Sequence, residues 1–295
     1  MPTFLAVAER TASLFGLVIL IGAAVFRARV VQGLASTPDG SAERAAFVTR
    51  LGALTISAAS SAGVLLLLLS ALRLHLQVVG LFDTWTSAGT DGVRDLLLHS
   101  TWGRAWIFQT LASLAVVAGS ATGRPLDTWM TGPLAIAAAL TGHAAGAERM
   151  ALTVGVTAVH VLTASAWVGG VFFVLAATML ATRAADLLAV VRGFNTVALT
   201  CAALVALTGA FAAWVHVGSW NALISTSYGT QLIVKVSLVA VTAAAGAWNW
   251  KRATTALERG SPAELRNGVA VELFFAIAVI MTTGRLVLLP LPSGP

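Results

Sequence analysis

The sequence predicts an all-α fold: a polytopic membrane protein with eight transmembrane helices. Three observations carry this. The 295 residues are 58% hydrophobic and only 10% charged, where soluble domains carry about 25% charged residues. Apolar stretches long enough to cross a bilayer recur along the whole chain, and mean hydropathy is +0.87. The basic residues behind the net charge of +6 stand in short loops between those stretches. That is the positive-inside pattern of a membrane protein, not a nucleic-acid face, so no nucleic-acid partner is expected. No polar stretch is long enough for a separate soluble domain.

The helices are expected at 5–26, 51–76, 104–122, 129–145, 150–181, 194–217, 229–250 and 267–288. The first lies in a start, MPTFLAVAER, that has no basic region ahead of its apolar stretch. It is expected to stay as a membrane helix rather than be cleaved as a signal peptide. The second ends in LHL around His75. The third opens with STWGRAW. The fourth has Gly132 and Pro133 near its start and closes in ALTGH at His143. The fifth holds VHVLTASAWVGG, and the sixth ends in VHV around His216. The seventh opens with TSYGTQL, and the eighth closes in MTTGR at Arg285.

Charge orients these spans. Eleven of the 18 Lys and Arg residues fall in the loops 27–50, 123–128, 182–193 and 251–266, against four (Arg10, Arg94, Arg104, Arg149) on the other side. The first set of loops is therefore expected in the cytoplasm and both termini outside. Every histidine then falls in the outer half. His75, His143 and His216 sit at outer helix ends, and His99 in the outer loop 77–103. His160 lies ten residues into the fifth helix, about 15 Å deep at the helical rise and near the middle of a core about 30 Å thick. The single cysteine, Cys201, excludes a disulfide framework and a CxxC metal site.

The two halves echo each other in order: TASLF with TASAW, LHL with VHV, STWGRAW with TSYGTQL, and ALTGH with MTTGR. This predicts a parallel 4+4 internal repeat, residues 1–146 and 147–295, with its pseudo-twofold along the membrane normal. His75 would pair with His216 and His143 with Arg285. His160 would correspond to Ala8, so a midplane site is asymmetric.

An ionisable group at membrane depth is costly unless it faces the protein interior and finds a partner. His160 is therefore the leading site candidate. Trp167, seven residues on, shares its helical face, and Gly169–Gly170 let a neighbouring backbone approach closely. A neutral imidazole in an apolar bundle is a good ligand for copper or haem iron. The competing account is a histidine bonded to a nearby carbonyl.

TGHAAG followed by HVLTASAWVGG, and later WVHVGSWNALISTSYGTQLIVKVSL, resemble the copper resistance D (CopD) family of bacterial inner-membrane proteins. The resemblance covers most of the chain and is strongest from His143 to Arg285. It implies an eight-helix, multi-pass inner-membrane fold and inward movement of copper. It also implies cooperation with a periplasmic copper-binding protein of the CopC type, here expected as a separate polypeptide. The family motif carries over to His143, His160, Trp167, Gly169 and Gly170.

His75, His216 and Met150 join the candidate metal ligands from position alone. Interface anchoring among Trp85, Trp214 and Trp220 explains the two histidines equally well. The Met150 thioether suits Cu(I), but a lone Met is more often packing. His99 reads as a surface group, and Met281 and Cys201 as core. The intramembrane cations Arg73, Lys235 and Arg285 need an account, and Glu9 is a candidate partner for one of them, with Glu9–Lys235 the pair singled out. The leading reading is a copper transporter, not an enzyme, for Cu(I) or Cu(II). There is no GxxxxGK[ST] loop and no HExxH zinc motif. The alternative is a membrane electron carrier with haem b held between two of His75, His143 and His216.

Overall fold

The computed structural model describes residues 3–36, 41–122, 128–142, 150–259 and 261–292, and all regular structure among them is helical. Helix α1 (Phe4–Phe26) runs through a π-helical turn (Arg27–Val31) into α2 (Gln32–Ser36). Then come α3 (Ala42–Phe82), α4 (Trp85–His99), α5 (Thr101–Ala121) and α6 (Thr131–Leu140), the last preceded by a 3-10 turn. The second half of the chain forms α7 (Met150–Leu180), α8 (Ala184–Val217), α9 (Trp220–Ser225), α10 (Ser227–Glu258) and α11 (Pro262–Leu286).

Six stretches are long and apolar enough to cross a membrane: Phe4–Ser36, Ala42–Phe82, Met150–Leu180, Ala184–Val217, Ser227–Ala253 and Pro262–Leu286. The other two expected spans fall short for different reasons. α5 has the length, 21 residues, but Arg104 and Gln109 lower its apolarity. Thr128–Leu140 is apolar but short. Large apolar side chains point outward along the bundle, among them Leu68, Leu207, Trp214 and Phe274. Such a surface suits lipid rather than water.

Two turns are built alike. α3 ends at Asp83, whose φ of 63° reverses the chain, and Thr84 caps α4. α8 ends at Gly218, with φ 69°, and Ser219 caps α9. Ser100 then caps α5 by accepting the Gly103 N–H at 2.8 Å, and Thr226 caps α10 by accepting the Gly229 N–H at 3.0 Å. Both glycines press against the end of the preceding short helix. A Cβ on Gly103 would lie 2.6 Å from the Leu97 backbone, and one on Gly229 2.5 Å from the Ala222 carbonyl. This explains why STWG and TSYG recur. The histidines do not follow the same register: His75 stands eight residues before Asp83, His216 two before Gly218. The expected pairing of His75 with His216 is therefore corrected.

α1 and α7 pack on each other at the centre. α1 also packs on α3 and α11, and α7 on α6 and α8. Gly22 and Gly169 meet at the crossing, where a Cβ on Gly169 would lie 2.5 Å from the Val18 carbonyl. Nearby, Phe26 packs against Phe173 and Phe194, with ring centroids 5.5 and 6.1 Å apart. At the end carrying the basic loops, Arg44 of α3 pairs with Asp186 of α8 at 3.0 Å, and Arg183 donates to the Ser41 hydroxyl.

Candidate intramembrane cation route

The site begins where α7 meets α8. His160 lies ten residues into α7, and its Nδ1 is 2.9 Å from the Thr208 hydroxyl. Thr208 donates its own hydrogen to the Leu204 carbonyl one turn back on α8, so its oxygen is left to accept. With the hydroxyl so turned, the ring proton sits on Nδ1 and the lone pair on Nε2, and the Val205 carbonyl also lies beside the ring. The ring lies over Gly209, where a Cβ would come within 3.4 Å of Cε1. A Cβ there would make ordinary contact with the ring. Lys235 of α10 is near enough to act electrostatically on the ring.

Two turns further along the same face, Trp167 is buried. Its indole lies close enough to the carboxylate of Glu272 on α11 to act on it. Asn249 of α10 donates to the same carboxylate at 3.1 Å, and Glu272 is only 6% exposed. Small residues make the space: a Cβ on Gly246 would lie 2.7 Å from Glu272 Oε1. Trp167 and Glu272 line a cavity of about 200 Å³ between α7, α8, α10 and α11, with Asn195, Asn249 and Trp250 on its walls. Leu199 and Trp250, also in the lining, are exposed, so the cavity opens to the surface.

Two family descriptions match the chain: "copper resistance protein D-like, N-terminal domain" over residues 1–151, and "copper resistance protein D" over residues 188–286. The chain belongs to the copper resistance D family. It is also similar to copper transport protein CutJ of Bacillus subtilis (strain 168), 29% identical over 231 residues. That match covers 72% of this chain and 41% of the relative, so the chain spans well under half of that protein's length. No solved structure matches the chain. His160 and Trp167 lie between the two family-matched stretches, whereas Thr208, Lys235, Asn249 and Glu272 lie inside the second.

Among this family member's candidate residues, the structure brings some together and separates others. Gly169 serves the α1–α7 crossing. Gly170 lies under the Phe194 ring, with no room for a Cβ. Glu9 makes its ion pair with Arg73, at 2.9 Å, and also accepts the Ser13 hydroxyl at 2.7 Å. The expected Glu9–Lys235 pair is thus replaced by Glu9–Arg73, because α1 packs directly on α3. His75 takes the Trp85 indole N–H on its Nδ1 at 3.0 Å and stacks on that ring. His216 meets Tyr228 edge-on, centroids 6.4 Å apart. Each of these two rings thus faces an aromatic of its own half.

Met150 is 41% exposed at the start of α7, and Met281 is 58% exposed. Cys201 is buried. His99 contacts Asp95 on the surface at 3.1 Å. His143 lies outside the described residues. Among the described residues no three His, Cys, Asp or Glu side chains gather at one point.

Sequence reasoning passes over Glu272. The signal is available, since the residue stands inside the expected helix 267–288 and the rule that selects His160 applies to any intramembrane charge. A search for soft copper ligands looks past a carboxylate.

Proposed function

We propose that this protein carries copper ions across the bacterial inner membrane, from periplasm to cytoplasm, along the α7 face that bears His160 and Trp167. The observation that carries the reading is the state of His160. It is an intramembrane imidazole whose Nδ1–H is tied to Thr208 and whose Nε2 lone pair remains to bind a metal ion. Imidazole accepts Cu(II) or Cu(I). The cavity beyond Trp167 continues the route. Family membership and the likeness to a protein named for copper transport support transport rather than catalysis.

In this reading the chain has eight spans, α5 and α6 completing the set, with both termini outside. The charge bias of eleven to four supports that orientation. The halves 1–146 and 147–295 form a parallel repeat, supported by the matching turns at Asp83 and Gly218. His143 receives the ion at the outer surface with Met150 as helper, and His75 and His216 flank that surface. A periplasmic CopC-type protein supplies the copper.

The test is copper accumulation in cells expressing each variant at matched levels. His160→Ala should abolish copper-dependent uptake. Thr208→Val, which frees the ring to rotate and change tautomer, should reduce it several-fold. Parent-level accumulation by His160→Ala would end this reading.

A further inference from the structure

Three carboxylates among the described residues are buried: Glu9, Asp186 and Glu272. Glu9 is paired with Arg73 and Asp186 with Arg44. Glu272 differs. Its hydrogen-bond partner is a neutral donor, the Asn249 amide, with the Trp167 indole beside it, and among the described residues no Lys or Arg stands within ion-pair distance. A bare ionised carboxylate in a water-poor site is costly, so such a group takes up a compensating positive charge.

The surrounding charges do not supply it. α11 packs on α10, α7 and α1. On α10, Lys251 and Arg252 are exposed, and Arg252 lies over the Trp248 ring at 4.2 Å. Lys235 is eleven residues before Gly246, about 16 Å along the helix. On α7, His160 is seven residues before Trp167, about 10 Å away along the axis. On α1, Glu9 and Arg73 satisfy each other, and Arg10 donates to the Thr141 carbonyl. On α11 itself, Glu264 and Arg266 are exposed near its start, and Arg285 is exposed in the last turn. On α8, Asp186 is held by Arg44. Glu272 is the one ionisable residue among those lining the cavity.

We infer that Glu272 is a second cation site on the route, protonated at rest, which exchanges its proton for a copper ion in the cavity. This rests on the proposed copper transport. The exchange balances without redox change: the carboxyl O–H bond breaks, the proton passes to a water carried in with the hydrated copper ion, and the copper cation takes the freed oxygen. Asn249 holds the carboxylate's other oxygen, with the Trp167 indole beside it, and fixes its direction. A carboxylate is a weaker copper ligand than imidazole, so the ion is bound loosely beyond His160 and moves on.

Infrared difference spectra of the purified full chain in detergent test this, with copper added in either oxidation state. The parent should show a protonated-carboxyl band that Glu272→Gln lacks, and copper should diminish that band in the parent. Trp167→Phe removes one donor and should shift the band without abolishing it, which serves as the readout if Glu272→Gln does not fold. No band attributable to Glu272, no shift in Trp167→Phe, or a band indifferent to copper would each overturn the proposal. The two readings fail separately. A copper-sensitive band in a protein that accumulates no copper sinks transport and leaves the site, while normal accumulation with no band sinks the site alone.

Discussion

Breaking the Glu9–Arg73 pair is expected to be among the most damaging single changes in the first half. The pair is 2.9 Å long, with side chains 4% and 9% exposed, which places it with buried pairs rather than surface ones. Removing one partner of a buried pair costs about 3–5 kcal/mol, because the other charge is left uncompensated. In Arg73→Met, Glu9 keeps the Ser13 hydroxyl as its hydrogen-bond donor, with Arg10 near enough to act on it electrostatically. In Glu9→Gln, Arg73 faces a cavity of about 10 Å³ lined by Ser13, Ser70 and Gln109, room for no more than about one water. Little solvation is on offer, so each single change should lower stability by about 3 kcal/mol, roughly a hundredfold in the unfolding equilibrium. The double change removes both charges of the pair and should recover most of that loss. Unfolding of the four proteins in detergent gives the cycle directly. Two singles that each cost under about 1 kcal/mol, and that simply add in the double, would refute the argument from burial.

Gly169→Ala should destabilise the α1–α7 crossing. Its Cβ meets two stretches of backbone, the Val18 carbonyl at 2.5 Å and Gly22 Cα at 2.7 Å, and forced overpacking of this kind costs about 1–3 kcal/mol. A lower unfolding temperature in detergent checks it, and parent-like stability would mean the helices part freely. Topology is open to thiol labelling. A cysteine at Asp91 on α4 should react with an impermeant reagent from outside in intact cells, and one at Lys251 should not. The reverse pattern overturns the orientation and the entry side together.

The helices were legible because burial in lipid demands long apolar runs, and those runs are visible in any window of the chain. Their ends at the basic side were not. α3 begins at Ala42 rather than 51 and α8 at Ala184 rather than 194, since the helices extend past the apolar run. The signal for α3 is Ser41, whose side chain caps the helix by accepting the Arg44 N–H. Asp83 illustrates a different limit. A non-glycine residue with positive φ is seldom foreseen from sequence, although its counterpart in the second half is a glycine. The STWG and TSYG segments matched by identity share a hydroxyl cap and a crowded glycine, because that local geometry requires those types. The same method misaligned His75 with His216, because nothing structural fixes a histidine at either place.

The two turns suggest why the route lies in the second half. Arg73 stands ten residues before Asp83, and Thr208 ten residues before Gly218. Under the proposed repeat these are equivalent positions on the second helix of each half. Each reaches toward the first helix of its own half: Arg73 to Glu9 on α1, Thr208 to His160 on α7. In one half the contact is an ion pair whose charges cancel, with a large penalty for separation. In the other it is a neutral pair that fixes an imidazole and leaves its second nitrogen open. A cation offered both sites gains a ligand only at the second, where the same helix face leads on to Trp167, Glu272 and the cavity. Under the proposed repeat and the proposed transport, a scaffold with one half neutralised by its own charges and the other kept as a ligand would conduct asymmetrically.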